Sequence, residues 1–177
     1  MQTEVRTLID RSSEARRNRD HTAAVRFAEL AAEVARQTQD QNGLGAALEA
    51  LGRLRRDQRD LDAASKLYGE AAEIARHGDD PSALAHRLRH IGDIAVERGE
   101  LARAEDCYDE AGKLFDGRET AQLDRANFLR SLALLKEKQG TKEAAAQLWA
   151  EARALYSATG IAAGVQESDR RLALLKD

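Results

Sequence analysis

The chain repeats itself. Residues 20–36, DHTAAVRFAELAAEVAR, align without gaps on residues 60–76, DLDAASKLYGEAAEIAR, at an offset of 40. Residues 51–71, LGRLRRDQRDLDAASKLYGEA, align on residues 91–111, IGDIAVERGELARAEDCYDEA, at the same offset. Residues 132–152, LALLKEKQGTKEAAAQLWAEA, follow at 41, and SLALLKEK (131–138) returns as RLALLKD (171–177). That makes four copies and a partial fifth. A fixed period of this size marks a stacked array, because one copy cannot bury its apolar face alone and each neighbour covers the next.

The recurring residues say how the copies pack. Leu51-Gly52, Ile91-Gly92 and Leu132-Ala133 share one slot. Ala24, Ala64, Ala104 and Ala145 share a second, and Ala31, Ala71, Ala111 and Ala152 a third. Between them sit Tyr68, Tyr108 and Trp149, with Ala28 in the first copy. Small residues let helices approach closely, and one large ring fills the space left over. The aromatic slot therefore reads as core filler. Only one proline interrupts 177 residues, and the pattern predicts helices at 3–18, 21–37, 42–57, 60–77, 81–98, 101–116, 119–139, 142–157 and 162–176, with no strands. Gly78, Gly117 and Gly160 fall where second helices should end in a left-handed cap. Asp80-Pro81 reads as an N-cap followed by a first-turn proline, and Thr141 as an N-cap after Gly140.

This pattern resembles the tetratricopeptide repeat family: an apolar residue, then Leu-Gly, then Ala-x-x-x-aromatic. The third copy carries it best, with Leu88, Ile91-Gly92, Gly99, Ala104, Tyr108 and Ala111. Three departures stand out. The period is 40 or 41 rather than 34, like a subgroup with lengthened helices; the usual first-helix aromatics are missing; and Arg11-Ser12 replaces Leu-Gly in the first copy. The resemblance implies an all-α, right-handed solenoid of antiparallel helix pairs in a single domain over residues 1–177. Its repeats would span roughly 3–40, 41–80, 81–120 and 121–160, and a capping helix over 161–177 would use Ile161, Val165, Leu172 and Leu175.

The resemblance also implies that first helices line a concave face. By register the lining slots are Arg6, Ile9, Ser13 and Arg16 in the first copy and Ala46, Glu49, Arg53 and Arg56 in the second. The third copy offers His86, Arg89, His90 and Asp93; the fourth, Asn127, Arg130 and Leu134; the end helix, Glu167, Arg170 and Arg171. The set is basic in a chain of net charge −3, while Glu105, Asp106, Asp109 and Glu110 lie on a second helix. Arginine supplies 22 of the 28 basic residues, and its planar fork suits carboxylate recognition. The ligand-binding expectation accordingly falls on Arg53, Arg56, His86, Arg89, His90, Asn127, Arg130 and Arg170, with Arg53, Arg89 and Arg130 as a ladder for an acidic or extended protein segment. The alternatives are a solvated face whose arginines pair with Glu49, Asp93 and Glu167, and a sensor module taking a small ligand or signalling peptide. Some family members clamp a terminal carboxylate; the nearest match is Arg89, Asn127 and Arg171, but Asp93 and Glu167 would repel that ligand.

The stretch HRLRH (86–90) also has metal-like spacing, with His86, His90 and Asp93 on one helix face. Arg87 and Arg89 beside it disfavour a cation, so no metal and no cofactor is expected. No phosphate-binding glycine loop and no HExxH occurs, and no spacing picks out a nucleophile and base. Basic residues are not interleaved with aromatics as single-stranded nucleic-acid binding requires, and no apolar run approaches a membrane span. Cys107 is the only cysteine, which excludes an internal disulfide and fits a reducing compartment. The reading is a cytoplasmic, non-enzymatic binding scaffold, a monomer or weak homodimer.

Overall fold

The computed structural model describes residues 2–115 and 122–176. Helices α1 (Gln2–Arg17), α2 (His21–Gln37), α3 (Gln41–Asp57), α4 (Leu61–His77) and α5 (Pro81–Arg98) are followed by α6 (Leu101–Phe115), α7 (Gln122–Lys138), α8 (Lys142–Ala158) and α9 (Ala162–Leu175). No strand occurs among the described residues. Most helix bounds agree with the sequence expectation to within one residue. Gly117, the last residue of the expected 101–116 helix and the start of the expected 119–139 helix lie outside the described residues.

One turn design recurs. A single residue adopts positive φ between consecutive helices: Arg19, Gln39, Arg59, Asp79, Gly99, Gly140 and Gly160. The next residue then folds back, its N–H donating to a carbonyl five residues earlier, as Asp20 does to Ala15 and Asp60 to Arg55. Asp20, Asp40, Asp60 and Asp80 also cap the helix that follows. Their carboxylates accept from the backbone N–H of Ala23, Gly43, Ala63 and Ala83 at 2.9–3.1 Å. This satisfies donors that a helix start leaves unpaired. Two sequence expectations need correction. Gly78 has φ −82, and the left-handed residue is Asp79. Thr141 stands at the N-cap position but makes no side-chain cap bond; its hydroxyl donates back to the Lys136 carbonyl.

The chain divides into two compact units, Met1–Ile94 and Ala95–Asp177, where the sequence reading has a single domain. In the first, Val5 and Leu8 of α1 pack on Ala31, Ala32 and Ala35 of α2 and on Ala47 of α3. Ala15, Ala24, Ala28, Ala50, Leu51 and Leu54 continue that core. Tyr68 of α4 is fully buried on Gly52, where an added Cβ would lie 3.0 Å from the ring. That contact is why a glycine follows Leu51 in this slot. In the second unit Ala126 and Leu129 of α7 pack on Ala152 and Tyr156 of α8. Tyr108 and Trp149 are buried there too, and Tyr108 meets Phe128 edge-on at 6.3 Å. No helix among the described residues is long and apolar enough to cross a membrane.

Candidate ligand-binding site

The first unit holds a buried charged cluster where α3, α4 and α5 meet. Helix periodicity presents Glu49, Arg53 and Arg56 along one side of α3, and His86, Arg89, His90 and Asp93 along one side of α5. Glu49 is the hub. It accepts from Arg53 Nη2 at 2.9 Å, lies 3.2 Å from His86 Nε2 and 3.8 Å from Arg87 Nε. Burial would push its carboxyl up, but the His86 hydrogen bond and the charges of His86, Arg53 and Arg87 hold it below the usual range. Asp93 is the second acceptor, 3.1 Å from Arg89 Nη1 and 3.5 Å from Arg56 Nη1.

The two histidines turn inward. His90 Nε2 faces His86 Nε2 at 3.2 Å and Arg89 Nη2 at 2.9 Å. The His90 ring stacks on Tyr68 at 4.8 Å and 19°. Burial, and then Arg89, His86, Arg53 and Arg56, push the His90 pKa well below 6.5, so the ring is neutral. A neutral ring accepting from Arg89 at Nε2 carries its proton on Nδ1, which sits 3.8 Å from Asp93 Oδ2. Burial raises the Tyr68 phenol to about 12. Arg87 is also buried, but it points elsewhere: its Nη1 donates to the Ala71 carbonyl at 2.8 Å and its guanidinium lies against Gly45.

Glu49, His86 and His90 bring three ligand atoms within 4.8 Å of one another. Tetrahedral zinc bonds of about 2.0–2.1 Å would place such atoms about 3.3 Å apart, so the spacing alone would suit a metal. The charge would not. Arg53, Arg87 and Arg89 lie beside the three ligand atoms, and Arg89 already occupies the His90 lone pair. A divalent ion roughly 5 Å from a single guanidinium is repelled by about 7 kcal/mol at an effective dielectric of about 20.

Beside this cluster, α1 and α3 enclose a pocket of about 190 Å³ lined by Ser12, Ser13, Arg16, Arg17, Ala50, Arg53 and Leu54. Ala50, Leu54 and Ser12 are buried, and the Ser12 hydroxyl donates to the Ala24 carbonyl at 2.8 Å. Arg16 is held by Asp57, with Nη2 3.0 Å from Oδ1. Arg53 belongs to both the pocket and the cluster.

Five of the eight sequence-predicted site residues thus come together in the first unit: Arg53, Arg56, His86, Arg89 and His90. Arg89 is not a solvent-facing rung; it is 9 % exposed and tied to Asp93. The other three lie in the second unit and are separately engaged or exposed. The Asn127 side-chain oxygen accepts from the Tyr156 hydroxyl at 2.8 Å. Arg130 makes a two-pronged pair with Glu167 at 2.7 and 2.8 Å. Arg170 is exposed on α9. Arg171, the remaining member of the clamp match, pairs with Glu137 at 2.9 Å. Sequence reasoning missed two contacts: Glu49 with His86, and the Tyr68 ring stacked on His90. Both residues stood in repeat slots that were noted. The missing signal was the contact between successive copies.

No family model and no curated protein matches the sequence. Solved structures do. One is of nearly identical TPR-like repeats from a Podosopora anserina chain assigned as a kinesin light chain. It is 13 % identical with a TM-score of 0.71, over 99 % of this chain and 96 % of that one. The chain has a tetratricopeptide-like fold. A second match is BtubC (BKLC) from P. vanneervenii, 18 % identical with a TM-score of 0.53, over 98 % of this chain and 91 % of that one. At these identities the likeness establishes the all-α helix-repeat solenoid fold.

Proposed function

We propose that this chain is a protein- or peptide-binding module whose first-helix face, in the unit Met1–Ile94, receives an extended acidic segment. The observation that carries the reading is the pocket between α1 and α3, where Arg16, Arg17 and Arg53 surround an apolar floor with the Ser13 hydroxyl at its edge. Guanidinium forks bind carboxylates in two-pronged fashion, and the apolar floor suits the methylene stem of a glutamate. The neighbouring Arg56 and His86, 28 % and 33 % exposed, extend the basic face. No step of chemistry is needed; the function is capture.

A poly-glutamate peptide followed by fluorescence anisotropy tests this. Affinity should fall as salt rises, since exposed charges are screened over about 8–10 Å at physiological ionic strength. Arg17→Glu with Arg53→Glu should weaken binding at least about tenfold, a loss of about 1.4 kcal/mol. Reversal of Lys66 and Lys113, exposed on α4 and α6, is the control. Equal weakening by the control pair would show that only net charge matters and would sink the reading.

A further inference from the structure

Among the described residues, five buried side-chain polar atoms have no hydrogen-bond partner, and four of them belong to the cluster: Arg53 Nε, Tyr68 Oη, Arg87 Nε and His90 Nδ1. All four are donors. Arginine Nε–H can only donate, the Tyr68 phenol holds its proton to about pH 12, and His90 carries its proton on Nδ1 because Nε2 accepts from Arg89. Folded proteins leave few buried polar groups unpaired, and each one left so carries a desolvation penalty. Arg87 points toward the Ala71 carbonyl, and the other three, on Arg53, Tyr68 and His90, mean a local shortage of acceptors. The carboxylates of Glu49 and Asp93 are already shared among Arg53, Arg56, Arg87, Arg89 and His86.

We propose that the layer beneath Arg53 and Arg56, floored by the stacked rings of Tyr68 and His90, is the seat of a single carboxylate. Arg87 is excluded, since its guanidinium is committed to the Ala71 carbonyl and the Glu49 side. The seat then offers Arg53 Nε–H, the Tyr68 hydroxyl and His90 Nδ1–H to two acceptor oxygens. Arg53 is the outermost of these groups at 42 % exposed, against 13 % for His90 and none for Tyr68. A carboxylate arriving from solvent meets Arg53 first and draws it off Glu49. The inference rests on the acidic-segment reading for the carboxylate's source, a side chain or a chain end of the partner. Its chemistry stands on the donor surplus alone.

The deciding variant is Tyr68→Phe, which keeps the stacked ring and the packing on Gly52 and removes only the hydroxyl. With the hydroxyl unpaired in the free protein, the variant's melting temperature should equal or exceed the parent's. Its affinity for poly-glutamate should fall about tenfold, the effect of one lost charge-assisted hydrogen bond. Equal affinity of parent and variant overturns the seat, whatever happens to the melting temperature, and assigns the hydroxyl to an ordered water or to packing. Acetate titrated into the parent, with the His90 ring nitrogens followed by NMR, gives a second reading that needs no variant. A saturable shift supports the seat, and none overturns it. Free and amidated C-termini on the peptide separate a chain end from a side chain as the source. Peptide binding with silent His90 nitrogens removes the seat and leaves the module reading intact. A saturable acetate shift without peptide binding does the reverse.

Discussion

The two units build the same helix turn from different residues. In Met1–Ile94 the positive-φ residues are Arg19, Gln39, Arg59 and Asp79, and each is followed by an aspartate whose side chain caps the next helix. In Ala95–Asp177 they are Gly99, Gly140 and Gly160, while Thr141 and Ile161 make no side-chain cap bond. A side chain in the left-handed region costs about 1–2 kcal/mol, which glycine avoids. An aspartate cap returns about 1 kcal/mol. The first unit therefore offsets strained turns with strong caps, and the turns at Gly140 and Gly160 in the second have neither. Buried charge divides the same way: Arg87, Arg89 and Asp93 lie in the first unit, while among the described residues of the second the buried polar ones are Ser131 and Ser168. Strain and buried charge fall in the unit that carries the candidate site.

The largest expected effect probes the feature both units share, the aromatic slot. Tyr108 is 1 % exposed against Phe128, and Tyr108→Ala should cost about 3–5 kcal/mol in urea unfolding. A loss under about 1 kcal/mol would mean that the slot collapses freely, and that Tyr68 and Tyr108 are not equivalent fillers. Next in size is Gly140→Ala. Its added Cβ would meet nothing within 4 Å, so only the φ of +77 opposes it, and the cost should be about 1–2 kcal/mol. A neutral result would remove backbone strain as the reason for glycine in the second unit.

The helix count and most helix bounds were legible because period, alanine slots and aromatic slots agree in register. The turns were only half legible. Glycine flags the left-handed region, so Gly160 was found. A left-handed Arg19, Gln39 or Arg59 leaves no compositional mark, so those turns went unremarked, and Asp79 was passed over for the glycine beside it. The site was legible as a face and not as a set of contacts. Register put Arg53, His86 and His90 on lining helices. The alternative that paired the arginines with Glu49, Asp93 and Glu167 named the acceptors, but it placed them on a solvated face and could not say that Arg89 would turn inward onto Asp93. Charge reversal at Arg89 is therefore a core substitution, and as a groove test it would report unfolding.

His90 gives the comparison a pH dependence. Its folded pKa lies well below 6.5 because burial and the charges of Arg89, His86, Arg53 and Arg56 disfavour the imidazolium. The unfolded chain therefore binds the extra proton more readily than the folded one. Stability from this residue is complete above the unfolded value and is lost as pH falls through 6.5 toward the folded pKa, by at most about 1.4 kcal/mol per pH unit for one proton. Glu49, with its pKa lowered, contributes above the unfolded carboxylate value near 4.5 and loses that contribution as pH falls below it, so the two windows separate. Urea midpoints from pH 7 to pH 5 should decline for the parent and flatten in His90→Gln. An unchanged slope in that variant would place the titration elsewhere.

The smallest effects divide the two turn chemistries most cleanly. Asp60 accepts from the Ala63 N–H at 3.1 Å, so Asp60→Ala should cost about 1 kcal/mol. Thr141 makes no such bond, so Thr141→Ala should cost a few tenths of that at most. Arg59→Gly tests the other half of the exchange. It relieves a φ of +64, a gain of about 1 kcal/mol, but frees the unfolded chain by a similar amount, about 0.4–1 kcal/mol. The net change should lie within a few tenths of zero. Combined with Asp60→Ala, it gives a turn with a glycine and no cap bond, which is the second unit's design placed in the first. If strain and cap act independently, the double variant should lose only what the cap supplied. Urea unfolding of the two single variants and the double closes the cycle. A coupling above about 0.5 kcal/mol would mean that the aspartate cap holds Arg59 in the left-handed region, so that strain and cap form one device.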